Sequence, residues 1–190
     1  MGERVDRREP IQPATDRSLI DRARTGDLEA FEEIVRARMD AIYRLSFAIL
    51  GNEADARDAA QDTFVAAWRQ IGRLRDDDRF DAWLQRVAVN AARMVHRSRK
   101  RRGVREIPSA EVAGRVADVP APESADARTL DGALRTLPAD QRAILVLHHL
   151  EGRAVADLAV ILEIPSGTVK SRLHTARAAL LLALDAERDR

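Results

Sequence analysis

Apolar residues recur at three- and four-residue steps through residues 19–50, which is the spacing of one buried helix face. The clearest run predicts a helix that Asp27 caps and Gly51-Asn52 ends. A shorter helix is predicted before it, over Ser18–Arg24. The apolar positions of the longer helix are Phe31, Ile34, Val35, Ile42, Leu45 and Ile49.

Two more helices are predicted in the first half. The third spans Glu53–Ile71, because its apolar residues share one face and Gly72 ends the pattern. The fourth starts near Phe80, after a loop that holds three consecutive Asp, and runs into a basic stretch. The predicted buried face of the third helix consists of Ala60, Phe64, Ala67, Trp68 and Ile71, and its opposite face carries Asp55, Asp58, Asp62 and Arg69.

The second half also shows only helical periodicity. A short helix is predicted over Thr129–Thr136, and Pro138 begins another. Helices over Val155–Leu162 and Thr168–Leu184 follow, joined by a tight turn over 164–167. Two short helices joined in this way, the second of them basic, are typical of a helix-turn-helix. Because no β-alternation of useful length occurs anywhere, the predicted fold class is all-α.

Length and composition suggest two small helical domains. All aromatic residues of the 190-residue chain precede residue 84, which favours two domains with different cores. Residues 103–127 carry three Pro, two Gly and six Ala without a sustained apolar period, as a flexible linker does. We therefore predict a first domain over 16–102, a linker over 103–128 and a second domain over 129–186.

Composition also excludes several classes of protein. Without Cys the chain has no disulfide framework, thiolate zinc site or Cys nucleophile. No apolar run has the length of a membrane-spanning helix and the charged N-terminus does not resemble a secretory signal, so a soluble cytoplasmic protein is expected. No Ser-His-Asp arrangement, carboxylate dyad, phosphate-binding Gly loop or metal-ligand spacing stands out. We therefore expect no enzyme activity, no metal and no cofactor.

The formal net charge of +1 conceals segregated charges. Residues 82–105 contain eight Arg or Lys and no acid, and residues 164–184 contain three basic residues and no acid. Residues 53–81 contain eight acids and five Arg. Basic stretches suit phosphate groups and an acidic stretch suits a basic protein, so separate surfaces for different partners are predicted.

The last predicted helix combines a buried stripe with a basic face. Small polar residues can enter a DNA major groove while neighbouring cations hold phosphates. A solvated amphipathic helix explains the same pattern, but the absence of any acid over residues 164–184 favours DNA binding. The stripe is Val169, Leu173, Ala176 and Leu180; the opposite face is Ser171, His174, Thr175 and Ala178, flanked by Lys170, Arg172 and Arg177.

Four segments of the chain resemble one bacterial family, the extracytoplasmic-function sigma factors of the sigma-70 family. The family's C-terminal domain is similar to LPADQRAILVLHHLEG and DLAVILEIPSGTVKSRLHTARAAL, with GTVKSRL followed by AR as the most specific part. Its polymerase-clamp helix is similar to DARDAAQDTFVAAWRQI. Its promoter-melting and −10 recognition helix is similar to FDAWLQRVAVNAARMVHRSRKRR. The resemblance covers roughly residues 16–184 and implies a region 2-like domain, a linker and a region 4-like helix-turn-helix domain.

The resemblance implies two DNA-binding sites. In many relatives the positions of His174 and Thr175 carry an aromatic residue and an Arg, so the −35 preference of this chain is expected to differ. The loop over 74–79 matches the family loop that captures a flipped −10 base. Asn90 matches a position that contacts a −10 base edge. The −35 set is Thr168, Lys170, Ser171, Arg172, His174, Thr175 and Arg177; the −10 set is Asn90, Arg86, Arg93, Arg97 and Lys100.

The resemblance also implies the partners and the function. Asp55, Asp58, Gln61 and Asp62 are expected to meet the β′ clamp coiled coil of core RNA polymerase, and the β flap is a second expected contact. The implied function is an alternative sigma factor that recognises −35 and −10 promoter elements and opens the −10 region. An anti-sigma factor is the expected regulatory partner.

Two alternatives stay open at the level of sequence. The first is a two-domain helix-turn-helix regulator that binds duplex DNA without polymerase. It accounts for the last helix but not for the acidic helix or the segment around Asn90. The second is a helical protein–protein adaptor with an inert sigma-like tail.

Overall fold

The computed structural model describes residues 17–74, 79–101 and 124–188, and in these ranges it contains helices and turns but no strand. The prediction of an all-α fold is therefore confirmed. The linker region between residues 102 and 123, and positions 75–78 of the predicted loop, lie outside the described residues. The helices are α1 (Arg17–Arg24), α2 (Leu28–Leu50), α3 (Glu53–Gln70), α4 (Phe80–Arg101), α5 (Ala125–Thr136), α6 (Ala139–Leu145), α7 (Val155–Leu162) and α8 (Ser166–Arg188). A 3₁₀ turn over Ile71–Arg73 follows α3, and a π turn over Val146–Leu150 follows α6.

Side-chain caps and one glycine set the ends of the long helices in the first half. The Asp27 carboxylate accepts from the backbone N–H of Ala30 at 3.1 Å, as an N-cap residue does. Gly51 ends α2 with φ 69°, a left-handed conformation that glycine adopts without a Cβ clash. Asn52 then caps α3 by accepting from the N–H of Asp55 at 2.9 Å. The predicted start and end of α2 are confirmed.

Helices α2, α3 and α4 pack together and enclose aromatic side chains of the first half. The rings of Phe31 and Trp68 lie with their centroids 5.0 Å apart. Arg38 of α2 is only 2% exposed, and its Nε donates to the Asp81 carboxylate of α4 at 2.9 Å. A buried charge without a partner is costly, so this pair holds the first turn of α4 against α2.

The two halves do not have separate cores. The segregated aromatic residues favour two cores, but the buried apolar side chains of both halves form one contiguous cluster. The reason is that α2 contacts α6, and α4 contacts both α6 and α7. The second half therefore lies directly on the helix that carries the basic stretch.

The start of α5 differs from the prediction. The helix begins at Ala125 rather than Thr129, because the Ser124 hydroxyl accepts from the N–H of Ala127 at 3.1 Å. A serine cap adds a turn of helix to residues whose composition resembles a linker.

The start of α8 also differs from the prediction. The helix begins at Ser166 rather than Thr168, because the carbonyl of Pro165 already accepts from the N–H of Val169 at 3.0 Å. Glu163 makes the preceding turn with φ 54°, which is uncommon for a residue with a side chain.

Candidate nucleic-acid interface

The buried stripe of α8 is confirmed for its first three positions. Val169, Leu173 and Ala176 are buried, whereas Leu180 is only partly covered. Thr168 is half-buried at the edge of the stripe. The other predicted −35 residues share the exposed side of the helix: Lys170, Ser171, Arg172, His174, Thr175 and Arg177.

Two hydroxyls on this face are held by the helix itself. Ser171 Oγ donates to the carbonyl of Thr168 at 3.0 Å, and Thr175 Oγ1 donates to the carbonyl of Ser171 at 3.1 Å. Because each proton is engaged, the oxygens are oriented as acceptors toward solvent. They suit the amino group of a cytosine or adenine in the major groove.

His149 contacts Arg177 on the predicted −35 face, and the sequence did not assign His149 to that face. The Arg177 Nε donates to His149 Nε2 at 3.2 Å, which requires an unprotonated Nε2. Desolvation of the ring, together with the nearby His148 and Arg177, lowers the pKa of His149. His149 therefore positions a cation of α8 while carrying no charge of its own at neutral pH.

At the start of α7, the first helix of the helix-turn-helix, a carboxylate accepts from the backbone. Asp157 Oδ2 accepts from the backbone N–H of Ala154 at 3.3 Å. This supplies half of a capping box, although Ala154 has no side-chain acceptor. Leu158, Ile161 and Leu162 are buried in the core, and α7 packs against α8.

The predicted −10 residues on α4 fall into two groups. Asn90 and Arg97 are exposed, and the Arg97 Nε donates to the backbone carbonyl of Arg93 at 3.3 Å. Arg86 and Arg93 are half-buried and paired with acids from the second half of the chain. The side chain of Lys100 lies outside the described residues.

Both pairs join α4 to the second half. Arg86 Nη1 lies 2.8 Å from Glu163 Oε1, in the turn before α8. Arg93 Nε donates to Asp140 Oδ1 of α6 at 2.7 Å. Two of the predicted −10 residues, Arg86 and Arg93, therefore already hold carboxylates.

A cavity of about 360 Å³ lies between the end of α3, the start of α4 and α7. Its wall contains both ends of the predicted base-capturing loop, Leu74 and Arg79, and Arg86 of the predicted −10 set. The other lining side chains were not assigned to DNA binding from the sequence. Three guanidiniums, one amide and one indole make it suitable for an anionic, planar group. The lining residues are Gln70, Arg73, Leu74, Arg79, Ala82, Trp83, Arg86 and Val160.

The predicted polymerase-binding residues on α3 are not equivalent. Asp58, Gln61 and Asp62 are exposed and lie within five residues of one another. Asp55 is half-buried, and its carboxylate contacts Arg99 of α4. Asp58, Gln61 and Asp62 therefore lie together on the exposed surface. Asp55, the fourth predicted residue, pairs instead with Arg99 inside the fold.

A polar network crosses the contact between the halves. Gln85 of α4 is buried; it accepts from Arg153 Nε at 2.8 Å and donates to Glu151 at 3.3 Å. Burial raises the pKa of Glu151, although the charges of Arg153 and Arg44 act in the opposite direction. The buried amide is satisfied only when the two halves are together.

Two properties of the described residues bear on the class of protein. No helix within them is both long and apolar enough to cross a bilayer. The same ranges contain no group of three or more His, Cys, Asp or Glu side chains arranged to hold a metal ion.

Comparison with known proteins gives two family matches in the order of the chain. Residues 34–102 match the family described as Sigma-70 region 2, and residues 127–180 match Sigma-70, region 4. The RNA polymerase sigma-H factor of Pseudomonas aeruginosa is 33% identical over 89% of this chain and 93% of its own length. The ECF RNA polymerase sigma factor SigW of Bacillus subtilis is 34% identical over 85% of this chain and 92% of its own length.

Solved structures of sigma factors have a similar fold. CnrH, in complex with the cytosolic domain of CnrY, has a TM-score of 0.65 and 29% identity, covering 90% of this chain and 98% of its own. The sigma factor RpoE from Bartonella quintana, in complex with the anti-sigma factor NepR, has a TM-score of 0.62 and 26% identity. It covers 83% of this chain and 98% of its own.

Proposed function

The chain belongs to the extracytoplasmic-function sigma factors of the sigma-70 family, and from this we propose how its surfaces direct RNA polymerase to a promoter. An alternative sigma factor binds core polymerase and recognises −35 and −10 elements. The observation that carries the assignment is the pair of family matches, region 2 then region 4, on the two helical halves. Core polymerase catalyses phosphodiester synthesis, whereas this chain binds the promoter and positions the polymerase on it.

We assign the two halves different tasks. Residues 16–102 form the region 2-like domain for core binding, −10 recognition and melting. The linker predicted over 103–128 is shortened at its end, because α5 begins at Ala125. Residues 129–186 form the region 4-like helix-turn-helix domain, to which the additional turn of α5 from Ala125 belongs. The chain is expected to act in the cytoplasm, where its polymerase partner acts.

The exposed face of α8 is proposed to read the −35 element. Lys170 and His174 lie one turn apart on that face, with Ser171 beside Lys170 and its hydroxyl oxygen free to accept. Arg172 and Arg177 flank the face and are suited to phosphates, which position the helix without reading sequence. The bond from Arg177 to His149 pre-orients one of these cations.

Helix α4 and the cavity beside it are proposed to hold the −10 element. Asn90 is exposed, and its amide can donate to and accept from a base edge. The cavity beside Trp83, with Arg73 and Arg79 in its wall, suits an unstacked base and its phosphate. Extruding a base costs a few kcal/mol, which contacts in such a cavity offset.

The exposed part of α3 is proposed to bind the β′ clamp coiled coil. Asp58, Gln61 and Asp62 present two carboxylates and an amide on one open face. Complementary charge on the coiled coil would speed docking and set its register. The β flap is the proposed polymerase contact of the second domain.

An anti-sigma factor is the proposed regulatory partner. Solved relatives are bound to the cytosolic domain of CnrY and to the anti-sigma factor NepR. The similarity of fold supports a partner of the same class for this chain.

A gel-shift experiment tests the proposed function. The chain is incubated with a pool of random-sequence promoter-length duplexes, with and without core polymerase, and the shifted DNA is amplified. A sigma factor selects two elements only when core is present. Selection of one short element by the chain alone identifies a helix-turn-helix regulator that acts without polymerase.

A further inference from the structure

His149 lies at the edge of the exposed α8 face, although it belongs to another element. It is exposed near the end of the π turn over Val146–Leu150, and the Arg177 Nε donates to its Nε2 at 3.2 Å. Arg177 comes one turn after His174, which itself follows Lys170 by one turn. The imidazole therefore extends the proposed −35 face beyond α8, next to a cation that is suited to phosphate.

We propose that Arg177 and His149 together hold one backbone phosphate of the −35 duplex, and that His149 takes up a proton from solvent as the DNA binds. This inference rests on the proposed −35 role of α8. It adds a phosphate ligand from outside α8, and it makes −35 binding depend on pH. Phosphate contacts of arginine do not confer such a dependence, because a guanidinium stays charged throughout the physiological range.

The two side chains are placed to share one phosphate. In the free chain the His149 Nε2 accepts a hydrogen bond, so the neutral ring carries its proton on Nδ1. A second proton on Nε2 ends the bond from Arg177 and turns this atom into a donor. Two charged donors then lie side by side, and each forms a strong hydrogen bond to an oxygen of the same phosphate. The step transfers one proton to Nε2 and breaks no covalent bond.

The surroundings of the ring keep it uncharged in the absence of DNA. Desolvation, His148 and Arg177 all lower the pKa of His149 below its usual value of 6.5. The His148 ring stands edge-on to that of His149, with the centroids 4.8 Å apart. A phosphate placed against Arg177 brings a negative charge to this basic cluster, and such a charge favours the protonated ring.

The charged groups of neighbouring elements do not supply that negative charge. The π turn packs against α2, α6 and α7. Among the described residues, the titratable or charged groups that act on His149 are His148 and Arg177, both basic. Those that act elsewhere are Arg44 of α2 (on Glu151), Arg142 of α6 (with Arg135 and Asp131), Asp140 of α6 (with Arg93) and Asp157 at the start of α7.

The sign of the pH dependence follows from the change in protonation. A phosphate raises the pKa of His149 in the complex above the pKa in the free chain, so binding takes up a proton between these two values. Affinity for DNA should therefore rise as pH falls through the pKa of the complex, and should level off below that of the free chain. Above both values, Arg177 holds this phosphate without help from His149.

The test compares holoenzymes assembled from wild-type core polymerase and variants of the full-length chain. The probe is a fluorescent duplex that the wild-type holoenzyme selects from the random pool, and affinity is measured at fixed ionic strength at about pH 5.5 and about pH 8. The test variant is His149→Gln, whose amide oxygen can still accept from Arg177 but cannot take up a proton. The matched control is His96→Gln, which removes another imidazole on α4, away from the α8 face.

Wild type and the control should gain roughly three- to tenfold more affinity on acidification than His149→Gln. Their salt dependence should also become steeper by about one unit at the lower pH, because one more charged contact to phosphate is made. His149→Arg carries a permanent cation at this position, so its affinity should lose the pH-dependent gain and equal that of acidified wild type at both pH values.

The possible failures are distinguishable. An equal gain in His149→Gln and wild type, or a gain that His96→Gln also loses, would overturn the role of His149 and leave the sigma-factor assignment intact. An unchanged salt slope would do the same, because it would reduce His149 to a neutral support for Arg177. If the wild-type holoenzyme selected no duplex at all, the proposed function would fail and this inference with it.

Discussion

The Arg99 guanidinium meets the Asp55 carboxylate at 2.5 Å, which joins two residues 44 positions apart in the chain. The pair connects the helix proposed for −10 binding to the helix proposed for polymerase binding. One predicted polymerase-binding residue, Asp55, and one cation of the basic helix α4, Arg99, are therefore engaged in the fold itself. Asp55 and Arg99 are therefore expected to contribute to the stability of the fold, unlike their exposed neighbours.

A double-mutant cycle on this pair should show a modest coupling. Asp55→Asn, Arg99→Gln and the double variant are compared by urea unfolding. Because Arg99 is 45% exposed and Asp55 is 20% exposed, a coupling of about 0.2–1 kcal/mol is expected. Purely additive effects would show that the contact contributes nothing to stability.

The exposed carboxylates of α3 should control core binding. Replacing Asp58 and Asp62 by Arg places cations against a basic coiled coil, so core affinity should fall about tenfold or more while helicity is unchanged. The measurement is pull-down of core polymerase together with circular dichroism. Glu29→Arg/Glu33→Arg on α2 is the matched control. Undiminished pull-down by the α3 variant would rule out the proposed face.

Substitutions on α8 should separate base readers from phosphate holders. Lys170→Ala should cost roughly 1–3 kcal/mol if the contact is to a base edge. Arg172→Ala should weaken all sequences alike and reduce the salt slope by about one unit. Selection from a randomised −35 library then asks whether His174→Ala changes the preferred bases. An unchanged consensus would remove His174 from the set of readers.

Asn90 should affect promoter opening without affecting −35 affinity. Asn90→Ala removes the amide that is proposed to contact a base, so open-complex formation at the native promoter should fall. Permanganate footprinting over a series of −10 point variants measures this. Met94→Ala, on an exposed side chain one turn later in α4, is the control. Wild-type melting of every −10 variant by Asn90→Ala would leave α4 as a nonspecific strand holder.

Glu151 should make stability depend on pH in the opposite sense to an ordinary surface acid. Burial raises its pKa in the folded chain above the usual value of 4.5. Its contribution is therefore fully present below about pH 4.5 and is lost as pH rises through the raised pKa. Glu151→Gln can still accept from Gln85 and should be more stable than wild type at pH 7. Urea midpoints at several pH values should converge below pH 4.5, and a less stable Gln variant at neutral pH would contradict this.

Local patterns determined most elements of this fold. Asp27, Gly51 and Asn52 act within four residues of themselves, so their capping roles follow from residue type and position. The buried stripe of α8 likewise follows from a 3.6-residue period. The start of α5 was harder to predict, because one serine cap outweighed a composition typical of linkers.

Sequence alone thus determined the all-α class, the helix-turn-helix and the segregation of basic and acidic faces, since each arises from neighbours along one helix. Only the tertiary structure decided which charges meet. Arg86 pairs with Glu163, Arg93 with Asp140 and Arg153 with Gln85 across 77, 47 and 68 residues. Such pairings depend on how helices from the two halves pack, and many small, non-local contributions set that packing. No periodicity in the chain encodes them.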